Sequence, residues 1–309
     1  MRRAGVAALG ATAGALLLAA PAAAHHPPEG PGRFLAWDPA PTIIAAAAVA
    51  AALFVYGMWR LRKRGRADLA GFDRLALFGA GLAIVVLALV SPIDAIGEEY
   101  LLSGHMLQHM AIADAGPALL LLAARGPLLF FVLPAALLGP IARNASVRAV
   151  ASFLVRPWVV IVLWCTAFAA WHVPALYEGA IRNGVLHDLE HTSYLVVGLL
   201  VWAVLIDPTR HNRVRRSVRI GVAVTVFVAG QILSEILLFS SRTYYSIYEL
   251  QPDRLLGLST LTDQRYAGAI MMIEQALTIG TFLLFFFLAE DQAAREREAT
   301  RAPVLPPSL

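Results

Sequence analysis

His105-Met106-Leu107-Gln108-His109-Met110 opens a long apolar run, and its side chains are of the types that hold soft metal ions. Residues four apart stack on one face of a helix, so His105 and His109 present two imidazoles together. Met106 and Met110 place two thioethers on the neighbouring stripe. Imidazole and thioether are ligands that copper takes, above all when reduced to Cu(I). His187 and His191 repeat the four-residue spacing at the start of another apolar run, and His172 ends a third in Trp171-His172-Val173-Pro174. Acids accompany them. Asp188 and Glu190 flank the second pair, where they could orient imidazoles as hydrogen-bond acceptors. Asp114, Glu235 and Glu274 lie within apolar runs, where an unpaired charge is costly and points to a polar, partly wet cavity.

Whether these groups meet depends on the elements that carry them, and composition decides the class of those elements. With 59% hydrophobic and 15% charged residues and a mean hydropathy of +0.67, the 309-residue chain is too apolar for a soluble domain. Several uninterrupted apolar runs reach the length of roughly 20 residues that a helix needs to cross a bilayer. The expected architecture is an all-α polytopic membrane protein with seven transmembrane helices at about 42–59, 75–90, 104–124, 158–175, 189–206, 220–240 and 267–289. The proline-broken apolar stretch 127–138 is too short for a span and reads as an interfacial or re-entrant piece. Residues 1–24 have the basic start, apolar core and small-residue end of a cleavable signal peptide. A Pro/Gly-rich extracytoplasmic lead-in (25–41) carries His25 and His26, the transmembrane domain takes 42–290, and 291–309 reads as a disordered cytoplasmic tail.

Basic residues test the topology. The loops at 60–74, 125–156 and 210–219 and the tail hold 18 of them, against 5 on the opposite side. That asymmetry puts the amino terminus outside and the carboxyl terminus inside. It also explains the net charge of +4 without nucleic acid as a partner; the partner is the lipid bilayer. His105, His109, His172, His187 and His191 then fall at the outer ends of three sequential helices, within about two turns of one level. Cys165 is the one cysteine, which excludes an internal disulfide or a CxxC motif and leaves a packing role. Nothing matches a nucleophile elbow, a phosphate loop or a zincin motif: His187-Asp188-Leu189-Glu190-His191 has the zincin histidine spacing with its glutamate misplaced. No enzymatic role is expected.

With these motifs in order, the chain resembles the caa3-type cytochrome c oxidase assembly factor CtaG family of bacterial seven-helix membrane proteins. The resemblance rests on 104–110, 171–177, 187–195 with Gly198-Leu199-Leu200-Val201-Trp202, and 263–271, and covers roughly 40–290. It implies a multi-pass protein of the bacterial inner membrane that matures a haem-copper oxidase of the respiratory chain. On that reading the protein is a metallochaperone, with copper bound at the histidine cluster and an oxidase subunit as recipient. Two stretches depart from the family pattern. Asp114-Ala115-Gly116-Pro117 stands where members usually have apolar residues and proline, and Met272-Ile273-Glu274-Gln275 where they carry a Trp-Pro-Gly-like sequence. Both add polarity near the histidines. Two other functions use the same residues: a b-type haem protein with paired axial histidines, and a copper or ion transporter with Asp114, Glu235 and Glu274 as an inward path.

Overall fold

The computed structural model describes residues 35–209, 214–251 and 254–301. The expected signal peptide, His25, His26, most of the lead-in, His211 and residues 302–309 lie outside the described residues. Among the described residues every regular element is a helix. They run α1 (Pro41–Lys63), α2 (Phe72–Val90), α3 (Pro92–Glu99), α4 (Leu102–Ala123), α5 (Leu128–Phe131), α6 (Ala135–Arg143), α7 (Ala145–Leu154), α8 (Pro157–Trp171), α9 (Pro174–Ile181), α10 (Gly184–Ile206), α11 (Arg216–Phe239) and α12. The last begins at Thr260–Gln275 and continues through a π turn into Thr281–Arg301.

Among the described residues six helices are long and apolar enough to cross a membrane: α1, α2, α4, α10, α11 and α12. The chain is a multi-pass membrane protein. The fourth expected span differs. Pro157 and Pro174 bound α8 to 15 residues, which is about 22 Å of helix at 1.5 Å per residue and short of the bilayer's hydrocarbon core. α8 makes a seventh span only when joined to α7, from which it is bent by 68°. The stretch after α4 forms the short helices α5 and α6 instead of a span, as its prolines require. At the other extreme, α12 runs to Arg301 where a disordered tail from residue 291 is expected. Its Ala/Arg/Glu-rich end favours helix, and Asp291 pairs with Arg295 one turn on at 2.8 Å.

Two ends of the bundle are chemically distinct. At one, arginines close the termini of helices: Arg74 donates to the carbonyls of Ala123 and Arg125, Arg60 to those of Phe131 and Leu133, and Arg219 to that of Leu205. Cations there satisfy carbonyls that the helices leave without partners. The other end carries the histidines. Between them runs a core built on Trp164, Phe168, Tyr194, Trp202 and their neighbours, in which Cys165 packs as expected.

π turns interrupt two of the long helices, Ala111–Ala115 in α4 and Ala276–Gly280 in α12. A π turn adds one residue to a turn and so re-aims the side chains that follow it. The two turns meet in the core, where Thr278 donates to Asp114 at 2.7 Å. The Trp202 indole donates to the other oxygen of Asp114 at 2.5 Å, and the Glu274 carboxyl lies against the same aspartate.

Candidate metal centre

Local sequence explains where each histidine-bearing helix begins. Asn183 caps α10 by accepting from the Leu186 amide at 3.0 Å, so the helix starts early enough to include His187 in its first turns. Val173-Pro174 ends the segment after α8 and leaves His172 at the helix terminus. α4 has no cap of its own. Its first amides, Leu102 and Ser103, donate to the Asp263 carboxylate of α12 at 2.7 and 3.2 Å, and the Ser103 hydroxyl donates to it at 2.5 Å. Gly97 lets α3 press on the start of α4, since a Cβ there would stand 2.8 Å from the His105 backbone.

These helices bring four imidazoles into contact. Ring centroids of His105 and His109 are 4.1 Å apart, those of His187 and His191 also 4.1 Å, and the two pairs face each other at 5.3–6.1 Å. Glu190 joins them: its carboxylate lies 3.7 Å from His109 Nε2 and 4.0 Å from His105 Nε2. Glu190 is thus a member of the cluster and exceeds the orienting role expected of it. The spacing carried a signal for this, because residues 187, 190 and 191 share one helical face. Two triads, His105 with His187 and His191, and His105 with His109 and Glu190, each have ligand atoms within 4.8 Å of one another. Ligands on one tetrahedral ion stand about 3.3 Å apart at a metal–nitrogen bond of about 2.0 Å, so small side-chain movements close either set.

Orientation is set from outside the cluster. His187 Nδ1 pairs with Glu98 of α3 at 2.8 Å, which leaves Nε2 facing the cluster with its lone pair. His172 Nδ1 donates to the Phe168 carbonyl at 2.7 Å, and its buried Nε2 has no hydrogen-bond partner. His172 is in neither triad; it lies within electrostatic reach of His105 and His109 and forms the rim.

Met106 and Met110 are both buried in the apolar core, and Met110 also lines a small cavity with Asp114, Trp164, Phe168 and Tyr194. Asp188 is half-buried beside the cluster, on the neighbouring face of α10. Asp114 and Glu274 form a separate carboxyl pair. Glu235 departs from the expected cavity lining: it is exposed on α11. Gly230, Ser234 and Leu237 form the buried stripe of α11, with Gly268 of α12 close against Ser234, and Glu235 is about 100° round the helix from Ser234.

A loop of tyrosines between α11 and α12 covers the histidines. Tyr245 donates to the His172 carbonyl at 3.1 Å; Tyr248 donates to the Gly97 carbonyl at 2.6 Å and accepts from Tyr177, whose ring is 5.1 Å from that of His105. Gln264 pins the loop base, accepting from the Tyr244 amide and donating to the Arg242 carbonyl. Neither Asp263 nor Gln264 could be assigned these roles from local sequence, because their partners lie on other elements.

Glu178 of α9 latches the loop by accepting from the Ser246 hydroxyl at 2.8 Å and the Ile247 amide at 3.3 Å. Burial pushes its carboxyl up, but these hydrogen bonds and Arg182 outweigh burial and hold it below the usual glutamate value. A depressed carboxyl stabilises above its unfolded value and loses that contribution as pH falls through the folded one. Hydrogen exchange at Ser246 and Ile247 should therefore be slower in the wild type than in Glu178→Gln at neutral pH, with the two converging below about pH 4. Equal exchange at pH 7 would refute the latch.

His105 and Glu190 have no solvent exposure and His109 is 1% exposed. Both nitrogens of His105 and His109, His187 Nε2, His172 Nε2 and both Glu190 oxygens are buried without a hydrogen-bond partner. Buried polar atoms are normally satisfied, and these eight atoms have no hydrogen-bond partner. No curated protein and no solved structure matches the chain. The profile of the family described as cytochrome c oxidase caa3 assembly factor (Caa3_CtaG) matches residues 52–290, a segment that contains every residue of the cluster. The chain belongs to that family.

Proposed function

We propose that this protein holds copper in the cluster of His105, His109, His187 and His191, with His172 at its rim, and passes it to a subunit of a haem-copper oxidase during assembly. The observation that carries this reading is the set of buried lone pairs at His105, His109 and His187 with no protein partner. Oxidase assembly is the family's role, and the copper of such an enzyme is an ion that imidazoles bind. The histidine end would face outward from a bacterial inner membrane, with α7 and α8 together making the seventh crossing and the arginine end inside. Ligand exchange would move the ion, an incoming donor replacing the imidazoles one at a time. The role is non-catalytic on this reading.

The geometry favours an ion over haem. Rings 4.1–6.1 Å apart leave no slot for a porphyrin plane between the two pairs. The transporter reading loses Glu235 from its path, since that side chain faces outward.

Metal analysis of the full-length protein purified from copper-supplemented cells tests the proposal. Wild type should retain copper, and His105→Ala/His109→Ala should lose at least about tenfold, by analogy with the effect of disturbing a metal site's supporting shell. Membranes carrying that variant as their sole copy should be deficient in oxidase activity. Equal copper in both proteins would sink the proposal.

A further inference from the structure

The position of Glu190 narrows what the cluster takes. We propose that its carboxylate is a metal ligand, and that the cluster therefore selects a divalent, nitrogen- and oxygen-preferring cation, with any copper held as Cu(II). This deepens the reading above and rests on it.

Three observations support it. The first is placement. Glu190 has no solvent exposure, neither oxygen has a hydrogen-bond partner, and the two oxygens reach toward different imidazoles, His109 at 3.7 Å and His105 at 4.0 Å. A carboxylate serving only to orient a histidine would be hydrogen-bonded to it, as Glu98 is to His187 at 2.8 Å. Glu190 instead stands at separations close to those of co-ligands on one ion.

The second observation is donor type. Nitrogen and carboxylate oxygen suit divalent zinc and copper, whereas monovalent copper prefers sulfur and few ligands. Met106 and Met110 are buried in the apolar core, and the groups whose ligand atoms come together are imidazole and carboxylate. One of the two triads, His105 with His109 and Glu190, already includes a carboxylate donor.

The third is charge. Burying a net charge inside a membrane protein is expensive unless it is matched. Glu190 brings a fully buried carboxylate to the site, and Glu98, paired with His187, a second at its edge. A divalent cation compensates this charge more fully than a monovalent one.

The test uses full-length wild type, Glu190→Gln, Glu190→Asp and His105→Ala/His109→Ala, each titrated with Zn(II) and Cu(II), and separately with Cu(I) under reducing conditions, against competing chelators. Glu190→Gln should lose at least about tenfold in affinity for both divalent ions, while Cu(I) affinity stays unchanged. Glu190→Asp, which keeps the carboxylate, should recover part of that loss. X-ray absorption on zinc-loaded wild type needs no variant to fold, and should give a nitrogen/oxygen shell without sulfur. Unchanged divalent affinity in Glu190→Gln, with loss in the histidine variant, would overturn Glu190 as ligand and leave the histidine site standing. A sulfur scatterer in the wild type would overturn it too. Full metal retention by the histidine variant would overturn the cluster itself.

Discussion

Gly198→Ala is expected to prevent the histidine cluster from assembling. Gly198 lies in α10, seven residues beyond His191, where a β-carbon would fall on the Ala113 carbonyl of α4, well inside contact distance. That carbonyl belongs to the π turn at Ala111–Ala115. The obstacle is backbone, so no rotamer change relieves it, and α10 must move away from α4. Overpacking a tight core costs about 1–3 kcal/mol and occasionally more; a clash of backbone against Cβ belongs at the upper end of that range. Because α4 carries His105 and His109 and α10 carries His187 and His191, separation of the helices also separates the two pairs. Folded yield and thermal midpoint in detergent measure the first effect, and metal retention by the surviving fraction measures the second. A variant with wild-type midpoint and wild-type metal content would contradict the packing described.

Asp263→Ala should be nearly as damaging, for a different reason. The carboxylate is 2% exposed and supplies the acceptors for the first two amides of α4 and for the Ser103 hydroxyl. Removing it strands two buried N–H groups, each worth about 1–3 kcal/mol. The loss falls on the turn that precedes His105, so metal affinity should drop along with stability. Asp263→Asn keeps one oxygen acceptor and should be intermediate in both. If alanine and asparagine behave alike and both resemble wild type, the carboxylate is not the cap of α4.

Much of this was legible in the sequence, and what was missed has a common cause. Alternation of apolar runs with basic loops located the six long helices. The four-residue spacing of 105/109 and 187/191 set the imidazoles on helical faces, and the order of the helices brought both pairs to one end of the bundle. Periodicity also held Glu190 on the face of His187 and His191. A comparison with the zincin pattern obscured this, because that pattern asks where a catalytic glutamate stands and not whether a carboxylate is a ligand. Glu98, Asp263, Gln264 and the tyrosine loop act through partners distant in the chain, some 160 residues apart for Asp263 and Leu102. No local pattern encodes such pairings. Glu235 differs for another reason: a place within an apolar run does not say which face of the helix packs. The small residues Gly230, Ser234 and Gly268, which permit close helix approach, were the better guide.

Complete enclosure of His105 and Glu190 beneath Tyr177, Tyr245 and Tyr248 has a consequence for the rate law of metal exchange. On the proposed copper-holding role, an ion that enters past this loop needs local opening before every exchange event. Uptake should rise with ion concentration at first and then reach a plateau equal to the opening rate. Release into excess chelator should follow a single exponential whose half-time does not depend on how much chelator is present. A recipient protein that displaces the loop as it docks would abolish the plateau, making the speed of delivery a property of the encounter and leaving storage nearly inert in its absence.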